Sequence, residues 1–271
     1  MKQWIALLCA AATLLGFAAC GKESPQPLTP TDGETTAMAA APQGEALRLR
    51  IVDGAGTNSF VLAGEDDGDV YTVSADEMTV TVNGKAAQPA DLENGMVLTV
   101  KPGYELLETW PAQFAGVTVE TERVGKDDYG DLCGLYLTVL EDLWNNDEAL
   151  NSGISYISVD LNDAPGDLTD GEQAAVAWIF AGRHNAQPLT FGLEALQENG
   201  YVNEGELYWK DGVLMKISAP EGSVKQSAKS VTFDAEKWRS GTGAIFFNAC
   251  TAKRGKGAAW EPYQPGGFAI A

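Results

Sequence analysis

The sequence predicts an α+β protein in which a small β-barrel precedes an α+β domain with a mainly antiparallel sheet. Residues 47–100 contain five short segments in which apolar and polar residues alternate, a pattern typical of half-buried strands. Residues 131–150 instead carry apolar residues at helical spacing, and a second helix is predicted at 169–181. Strand-like segments return from residue 206 onward, and helices followed by strands favour helices on one face of an antiparallel sheet.

Length and composition support more than one folded unit. The chain has 271 residues, of which 45% are hydrophobic and 9% aromatic, so it can bury a core and is not disordered throughout. At about 150 residues per domain, the length favours two domains. We predict a barrel domain at residues 46–104 and an α+β domain at residues 112–271.

The chain is strongly acidic. Its 18 Lys and Arg residues oppose 38 Asp and Glu residues, which leaves a formal net charge of −20. Such a surface repels nucleic-acid phosphates, so nucleic acid is not an expected partner. The folded body is expected to be soluble and monomeric once it is separated from the N-terminal segment.

The first residues have the features of an export signal. Lys2 supplies a positive charge, and residues 4–17 form an uncharged apolar run of signal-peptide length. This run is shorter than the about 20 residues of a transmembrane helix. Its end, Phe-Ala-Ala-Cys at residues 17–20, resembles the lipobox of bacterial lipoproteins. The resemblance implies that a signal peptide of residues 1–19 is removed and that Cys20 is lipidated; cleavage after Ala19 without lipid is the alternative.

Residues 20–45 are predicted to form a disordered tether. They are rich in Pro, Thr, Ser and Ala and contain no aromatic residue, so they cannot bury a core. About 25 residues of extended chain hold a folded body tens of ångströms from its point of attachment. With the lipid on Cys20, this predicts a protein anchored to the cell membrane on its extracytoplasmic side.

Five strands are predicted within the barrel domain, at residues 47–52, 59–62, 70–73, 78–82 and 96–100. The dipeptide Asn83-Gly84 is a strong turn signal after the fourth strand. Residues 91–100 resemble the turn that enters a strand of small OB-like barrels, although other barrel types stay open. OB-like barrels often bind nucleic acids or sugars, but the few cations here disfavour a phosphate-binding groove.

The second domain is predicted to contain strands and helices and to end in strands. A capping box at Thr169 and Glu172 predicts a helix, because the two side chains bond orphan N–H groups at a helix N-terminus. Thr190 is predicted to cap another helix, which Asn199-Gly200 ends. The remaining predictions are a helix at 131–150, a hairpin around 210–212, and strands at 117–124, 154–159, 230–233, 244–252 and 268–270.

Two cysteines belong to the folded body. Cys133 lies on the apolar face of a predicted helix, and Cys250 lies in a predicted core strand. An exported protein can join such residues by a disulfide, but two buried free thiols fit the sequence equally well.

The sequence predicts no catalytic group, metal or cofactor. His184 stands where a helix ends, so a capping role that complements the helix dipole is favoured over a catalytic base. The serines fit neither a Gly-x-Ser-x-Gly elbow nor a Ser-x-x-Lys pair. The acidic run at 160–170 fails the EF-hand pattern, because Ala164 and Gly171 stand at ligand positions. We therefore predict a solvated turn there.

Aromatic residues crowd the last third of the chain. Four of them are the candidate binding residues, because exposed rings stack on sugars or grip peptides: Tyr208, Trp209, Trp238 and Trp260. Packing in the core is the alternative for the same residues. Residues 238–270 are similar to the C-terminal ends of uncharacterised lipoproteins of Gram-positive anaerobes, a resemblance that implies no particular activity.

These features predict a membrane-anchored extracytoplasmic lipoprotein that binds a peptide, a glycan or an envelope protein without catalysis. The anchor, the tether and the missing catalytic set are the reasons. The alternative is a secreted glycosidase-like hydrolase that uses Glu204 and Glu206 as acid and base. As strand neighbours two positions apart, these two carboxylates would share one face.

Overall fold

The computed structural model describes residues 46–121, 123–203, 205, 207–222 and 227–271. The predicted signal peptide, Cys20 and the tether lie outside these residues, as do Glu204 and Glu206. Within the described ranges, no helix combines the length and the apolar character that crossing a bilayer requires.

Residues 47–121 form a mixed β-sheet that has nine strands in the described part of the chain. These are β1 (Leu47–Asp53), β2 (Ser59–Gly64), β3 (Val70–Ser74), β4 (Met78–Val82), β5 (Lys85–Ala87), β6 (Val97–Val100), β7 (Leu106–Leu107), β8 (Ala112–Phe114) and β9 (Val117–Thr121). The sheet order is β5-β4-β9-β6-β1-β2-β3-β8-β7. All five predicted strands are present, and β3 with β8 and β4 with β9 are the parallel pairs.

The pairing does not support the predicted OB-like barrel. The sheet is mixed, and β5 and β7 are its edges in the hydrogen-bonded order of the described strands. Strand β9 lies between β4 and β6, although the sequence assigns residues 117–124 to the second domain. Alternation identifies a strand but not its partner, and the partners of β9 are distant along the chain.

The second sheet has six strands in the described ranges and is accompanied by three α-helices. The helices are α1 (Leu132–Asn145), α2 (Asp170–Arg183) and α3 (Leu193–Glu198). The strands are β10 (Tyr156–Asp160), β11 (Gln187–Leu189), β12 (Gly212–Ser218), β13 (Ser230–Ser240), β14 (Gly243–Lys253) and β15 (Gly267–Ile270). Their order is β11-β10-β12-β13-β14-β15. Because β10 is parallel to both neighbours and the other pairs are antiparallel, this sheet is mixed too, and the chain is an α+β protein.

Side-chain caps explain where the two long helices begin. Asp131 caps α1, because its carboxylate accepts a hydrogen bond from the Gly134 N–H at 2.9 Å. Thr169 and Glu172 form the predicted capping box at the start of α2. Both caps can be recognised from the sequence, because each contact joins residues three positions apart.

The predicted cap at Thr190 is wrong. Helix α3 begins at Leu193, with Gly192 before it. The reason is a tertiary contact: the Phe191 N–H donates to the Ser158 hydroxyl oxygen at 2.9 Å, and that hydroxyl donates to the Phe191 carbonyl at 2.6 Å. These bonds hold residue 191 against β10 and keep the chain extended beyond Thr190.

Helix α2 lies between the two sheets. It contacts β1, β2 and β3 of the first sheet and β10 and β11 of the second. At its first turn, a Cβ atom on Gly171 would lie 2.7 Å from the Gly64 carbonyl oxygen, so a glycine is needed there. Val52 and Ala63 of the first sheet belong to the same apolar core as α1, α2 and the helix-covered face of the second sheet. One core therefore joins both sheets.

Candidate functional site

The four aromatic residues predicted to bind a ligand do not form one surface. Trp209 and Trp238 are buried in the core beside α3. Tyr208 is 42% exposed, with the Arg239 guanidinium 6.0 Å from its ring centre. Trp260 lies apart from them, partly buried against the core that contains α1. Of the four, Trp260 is the one that lines a described cavity.

His184 occupies the position that the sequence predicts, as the C-cap residue of α2. Its ring stacks on Trp144 with 3.9 Å between ring centres, and Nε2 lies 3.1 Å from Oε2 of Glu141. No serine or cysteine contact accompanies it in the described residues. These contacts join the C-terminal end of α2 to Trp144 and Glu141 of α1, so His184 has a structural role between the two helices.

The acidic run after β10 contains a buried carboxylate that already has a cation. Asp160 is buried, and its Oδ2 lies 3.4 Å from Nζ of Lys216; Asp163 lies 3.5 Å from the same nitrogen. Among the residues that the structure describes, no group of three or more His, Cys, Asp or Glu side chains is placed to hold a metal ion.

Two adjoining cavities lie where the first sheet, the start of α1 and the C-terminal segment meet. The first, of about 390 Å³, is bounded by Ala55, Leu92, Glu93 and Asn94 on the side of the first sheet. The second, of about 270 Å³, runs between α1 and residues 259–263. Both are lined by Asp131 and Ala259, so we call the two together the Asp131 groove.

The walls of the Asp131 groove are held by hydrogen bonds. The Trp260 Nε1–H donates to the Tyr129 carbonyl at 2.9 Å, and the Asp131 N–H donates to the Ala258 carbonyl at 2.8 Å. The Tyr263 hydroxyl donates to Oδ2 of Asp142 on α1 at 2.8 Å. Aromatic rings fixed in this way need little ordering when a ligand binds.

The groove is acidic. Glu93, Asp131 and Glu261 line it, and no Lys, Arg or His does so in the described part of the chain. Burial raises the pKa of Asp131 to about 6; the hydrogen bond from Gly134 opposes this shift, and the charge of Asp53 adds to it. A carboxylate with a raised pKa in a cleft marks a candidate binding or catalytic position.

Other cavities lie in the described part of the chain, and some of their charged groups already have partners. One of about 490 Å³ is lined by Arg48 and Glu120, which pair with Glu65 and Lys101 respectively. A cavity of about 210 Å³ contains Arg50, which is surrounded by carboxylates. The Asp131 groove combines apolar walls, fixed aromatic rings and two carboxylates without an ion pair among the described residues, Asp131 and Glu261. Apolar walls with a few polar groups are typical of ligand sites.

The free edge of the second sheet is a separate exposed surface. In the described sheet β15 is an edge strand, and its Phe268 and Ile270 are 55% and 64% exposed. They stand opposite the buried Phe247 and Ile245 of β14. The apolar face of the sheet therefore continues beyond the part that the helices cover.

Among the residues that line the groove, Trp260 is the one that the sequence proposes as a binding residue. Asp131 was the first residue of a predicted helix, and a carboxylate at a helix N-terminus is a local signal for a cap, not for a site. Glu93, Glu261 and Ala259 carried no signal, because the groove forms from segments that are distant along the chain. Comparisons with protein-family models, curated proteins and solved structures found no match.

Proposed function

We propose that this chain is a membrane-anchored, extracytoplasmic binding module whose ligand occupies the Asp131 groove. The lipobox resemblance at residues 17–20 and the tether-like composition of residues 20–45 support the anchor. The ligand classes that fit a protein in this place are a peptide, a glycan or an envelope protein. The binding role is non-catalytic.

The geometry of the groove is the observation that supports this proposal. The two cavities share Asp131 and Ala259, and Trp260 and Tyr263 are fixed in the wall by hydrogen bonds to Tyr129 and Asp142. Preformed walls favour binding, because they reduce the entropy lost when a ligand is ordered.

A second candidate is a glycosidase-like hydrolase. Glu204 and Glu206 lie outside the described residues, so they do not carry this alternative. Asp131 favours it, because a carboxyl group with a pKa of about 6 suits a general acid. Release of reducing sugar from a panel of oligosaccharides, lost in Asp131→Asn, would favour hydrolysis over binding alone.

The test is a binding screen with a variant that fills the groove. A basic peptide, an acidic peptide and a neutral oligosaccharide are titrated into the purified full-length chain by calorimetry. Ala259→Phe places a ring between the two cavities, so a ligand of the groove should lose at least about tenfold in affinity. Ala86→Phe, on the exposed edge strand β5, is the matched control and should bind as the wild type does.

Phe268→Ser completes the design. A ligand that adds to the β15 edge would be lost in Phe268→Ser and kept in Ala259→Phe, and this result would overturn the proposed site. If no probe binds the wild type, the proposed function itself fails.

A further inference from the structure

We infer that the Asp131 groove takes a peptide segment that places an arginine or lysine side chain against Asp131 and a neighbouring apolar side chain against Trp260. This inference names the ligand class for the proposed binding function and rests on it. It is argued from charge, from the shape of the two cavities and from the groups that line them.

Two of the three carboxylates of the groove, Asp131 and Glu261, have no ion pair within the described residues. Oδ1 of Asp131 accepts the Gly134 N–H, and no cation of the described residues forms an ion pair with this carboxylate. Glu261 has no ion pair there, and Glu93 reaches Arg123 at 3.7 Å. A partly buried carboxylate without a cation is destabilising, and a guanidinium or ammonium group that enters the groove removes this penalty.

The shape of the groove indicates two side chains, not one. The first cavity has Ala55 and Leu92 beside Asp131, which suits the apolar stem and charged tip of a long basic side chain. The second cavity has Leu135, Trp260 and Tyr263 in its walls, which suits an apolar side chain. Side chains at positions i and i+2 of an extended peptide lie about 7 Å apart on one face, so one segment can fill both cavities.

A peptide fits these features better than a free polyamine does. A polyamine presents charge along its whole length and offers no apolar side chain to Leu135 and Trp260 of the second cavity. A peptide presents one cation and one apolar group at a fixed spacing. The net charge of −20 further favours a basic segment, because it attracts cations to the protein as a whole.

The experiment measures the binding of a fluorescein-labelled peptide, Ser-Arg-Ser-Leu-Ser, to the full-length chain by fluorescence anisotropy. Two matched peptides replace Arg by the neutral isostere citrulline or Leu by Ser. We expect each replacement to weaken binding about tenfold or more. In Asp131→Asn the affinities for the arginine and citrulline peptides should differ by less than about twofold. Glu261 is exposed, so Glu261→Gln should reduce the difference in affinity less than Asp131→Asn does.

The control for charge alone is Glu194→Gln, on the exposed side of α3 and away from α1. It should leave the preference for arginine unchanged. Equal binding of the arginine and citrulline peptides by the wild type would overturn the inference, as would spermidine that displaces the peptide at a concentration below the peptide's own Kd.

The outcomes separate this inference from the proposed function. If the wild type binds a neutral oligosaccharide or an acidic peptide that Ala259→Phe loses, and does not bind the arginine peptide, the groove is a ligand site but the ligand class is wrong. If the arginine peptide binds wild type and Ala259→Phe equally, it binds elsewhere and the inference fails.

Discussion

Nε of Arg50 lies 2.9 Å from Oε1 of Glu172, which links strand β1 of the first sheet to the first turn of α2. The Nε–H does not point along this contact, so it is an ion pair without an aligned hydrogen bond. The other guanidinium nitrogens contact Glu65 at 3.0 Å and Asp128 at 3.1 Å. Burial lowers the pKa of Arg50, but the three carboxylates together raise it above its usual value. One cation therefore serves carboxylates from three segments.

Replacing this cation should destabilise the whole fold. In Arg50→Met, Glu65, Asp128 and Glu172 lose their shared partner and repel one another, so we expect the free energy of unfolding in urea to fall by about 3 kcal/mol. Arg48→Met is the matched control, because Arg48 is two positions along the same strand with a side chain that is 56% exposed. Its loss should be below about 1 kcal/mol. Equal losses in the two variants would contradict this prediction.

Lys237 should also be important for stability, at the C-terminal end of α1. Its buried ammonium donates to the carbonyl oxygens of Trp144, Asn146 and Asp147 at 3.0, 2.8 and 3.1 Å, which are groups that the end of a helix leaves without partners. Lys237→Met should lower the free energy of unfolding by about 2–3 kcal/mol, because these carbonyls then lack a donor. Lys253→Met, at the exposed end of β14, should change it by less than about 0.5 kcal/mol. A Lys237→Met chain as stable as Lys253→Met would show that water satisfies the carbonyls.

The local elements of this fold could be predicted from the sequence, because their signals are local. The alternation in residues 47–100 marked five strands, and the box at Thr169 and Glu172 marked the start of α2. The partners of β9 and the start of α3 could not be predicted. They depend on contacts such as Phe191 with Ser158, between residues that the chain brings together only after folding.

The candidate site could be predicted only in part, because it too depends on contacts between residues that are distant along the chain. Trp209, Trp238 and Trp260 have the same residue type and similar surroundings in the sequence, yet two are buried and one lines a groove. The difference is tertiary: Trp209 and Trp238 pack in the core beside α3, whereas Trp260 packs against the core that contains α1. Lys237 and Arg239 lie in β13 beyond the strand predicted at 230–233. Their burial depends on tertiary contacts with carbonyl groups, of Asn146 after α1 for Lys237 and of Leu150 and Lys210 for Arg239.

Asp131→Asn should stabilise the protein at neutral pH. The folded chain holds the Asp131 proton up to pH about 6, whereas the unfolded chain releases it near pH 4, so the wild type loses stability as the pH rises from about 4 to about 6. Asparagine still caps α1 but carries no charge. We expect Asp131→Asn to be up to about 3 kcal/mol more stable at pH 7, with equal stability of the two chains below pH 4.

Urea unfolding at several pH values between 3.5 and 7.5 checks this prediction, and the difference between the two chains isolates Asp131 from other titrating groups. The titratable groups near Asp131 are Asp53 of β1, the Cys133 thiol, and Glu93 and Glu261, which line the same groove. Glu194→Gln should follow the wild type at every pH. A variant that is less stable than the wild type at pH 7 would mean that the carboxylate stabilises α1 more than its burial opposes. A gain in stability joined to a loss of binding would identify Asp131 as a residue kept for function.

Cys133 and Cys250 should behave as two protected thiols. Both are free and buried, and burial raises the pKa of Cys250 to about 11. Burial also raises the pKa of Cys133, and Glu172, whose Oε1 lies 3.9 Å from its sulfur, adds to that shift. Because the thiolate is the reactive form, iodoacetamide at pH 8 should leave both residues unmodified in the folded chain and alkylate both in guanidinium. Peptide mapping by mass spectrometry checks each residue, and a disulfide-linked peptide containing the two would contradict the prediction.

Cys20 should carry the attachment to the membrane. The net charge of −20 repels an anionic leaflet, so the membrane attachment that we propose depends on acyl chains, at about 0.8 kcal/mol per buried CH₂, and not on surface electrostatics. Cells that are grown with a palmitate analogue should label the wild type and Cys250→Ser equally but not Cys20→Ser. The Cys20→Ser chain should also leave the membrane fraction for the soluble one, if it is still cleaved after Ala19. Equal labelling of wild type and Cys20→Ser would show that residues 1–19 act as an ordinary signal peptide and that the groove belongs to a freely secreted protein.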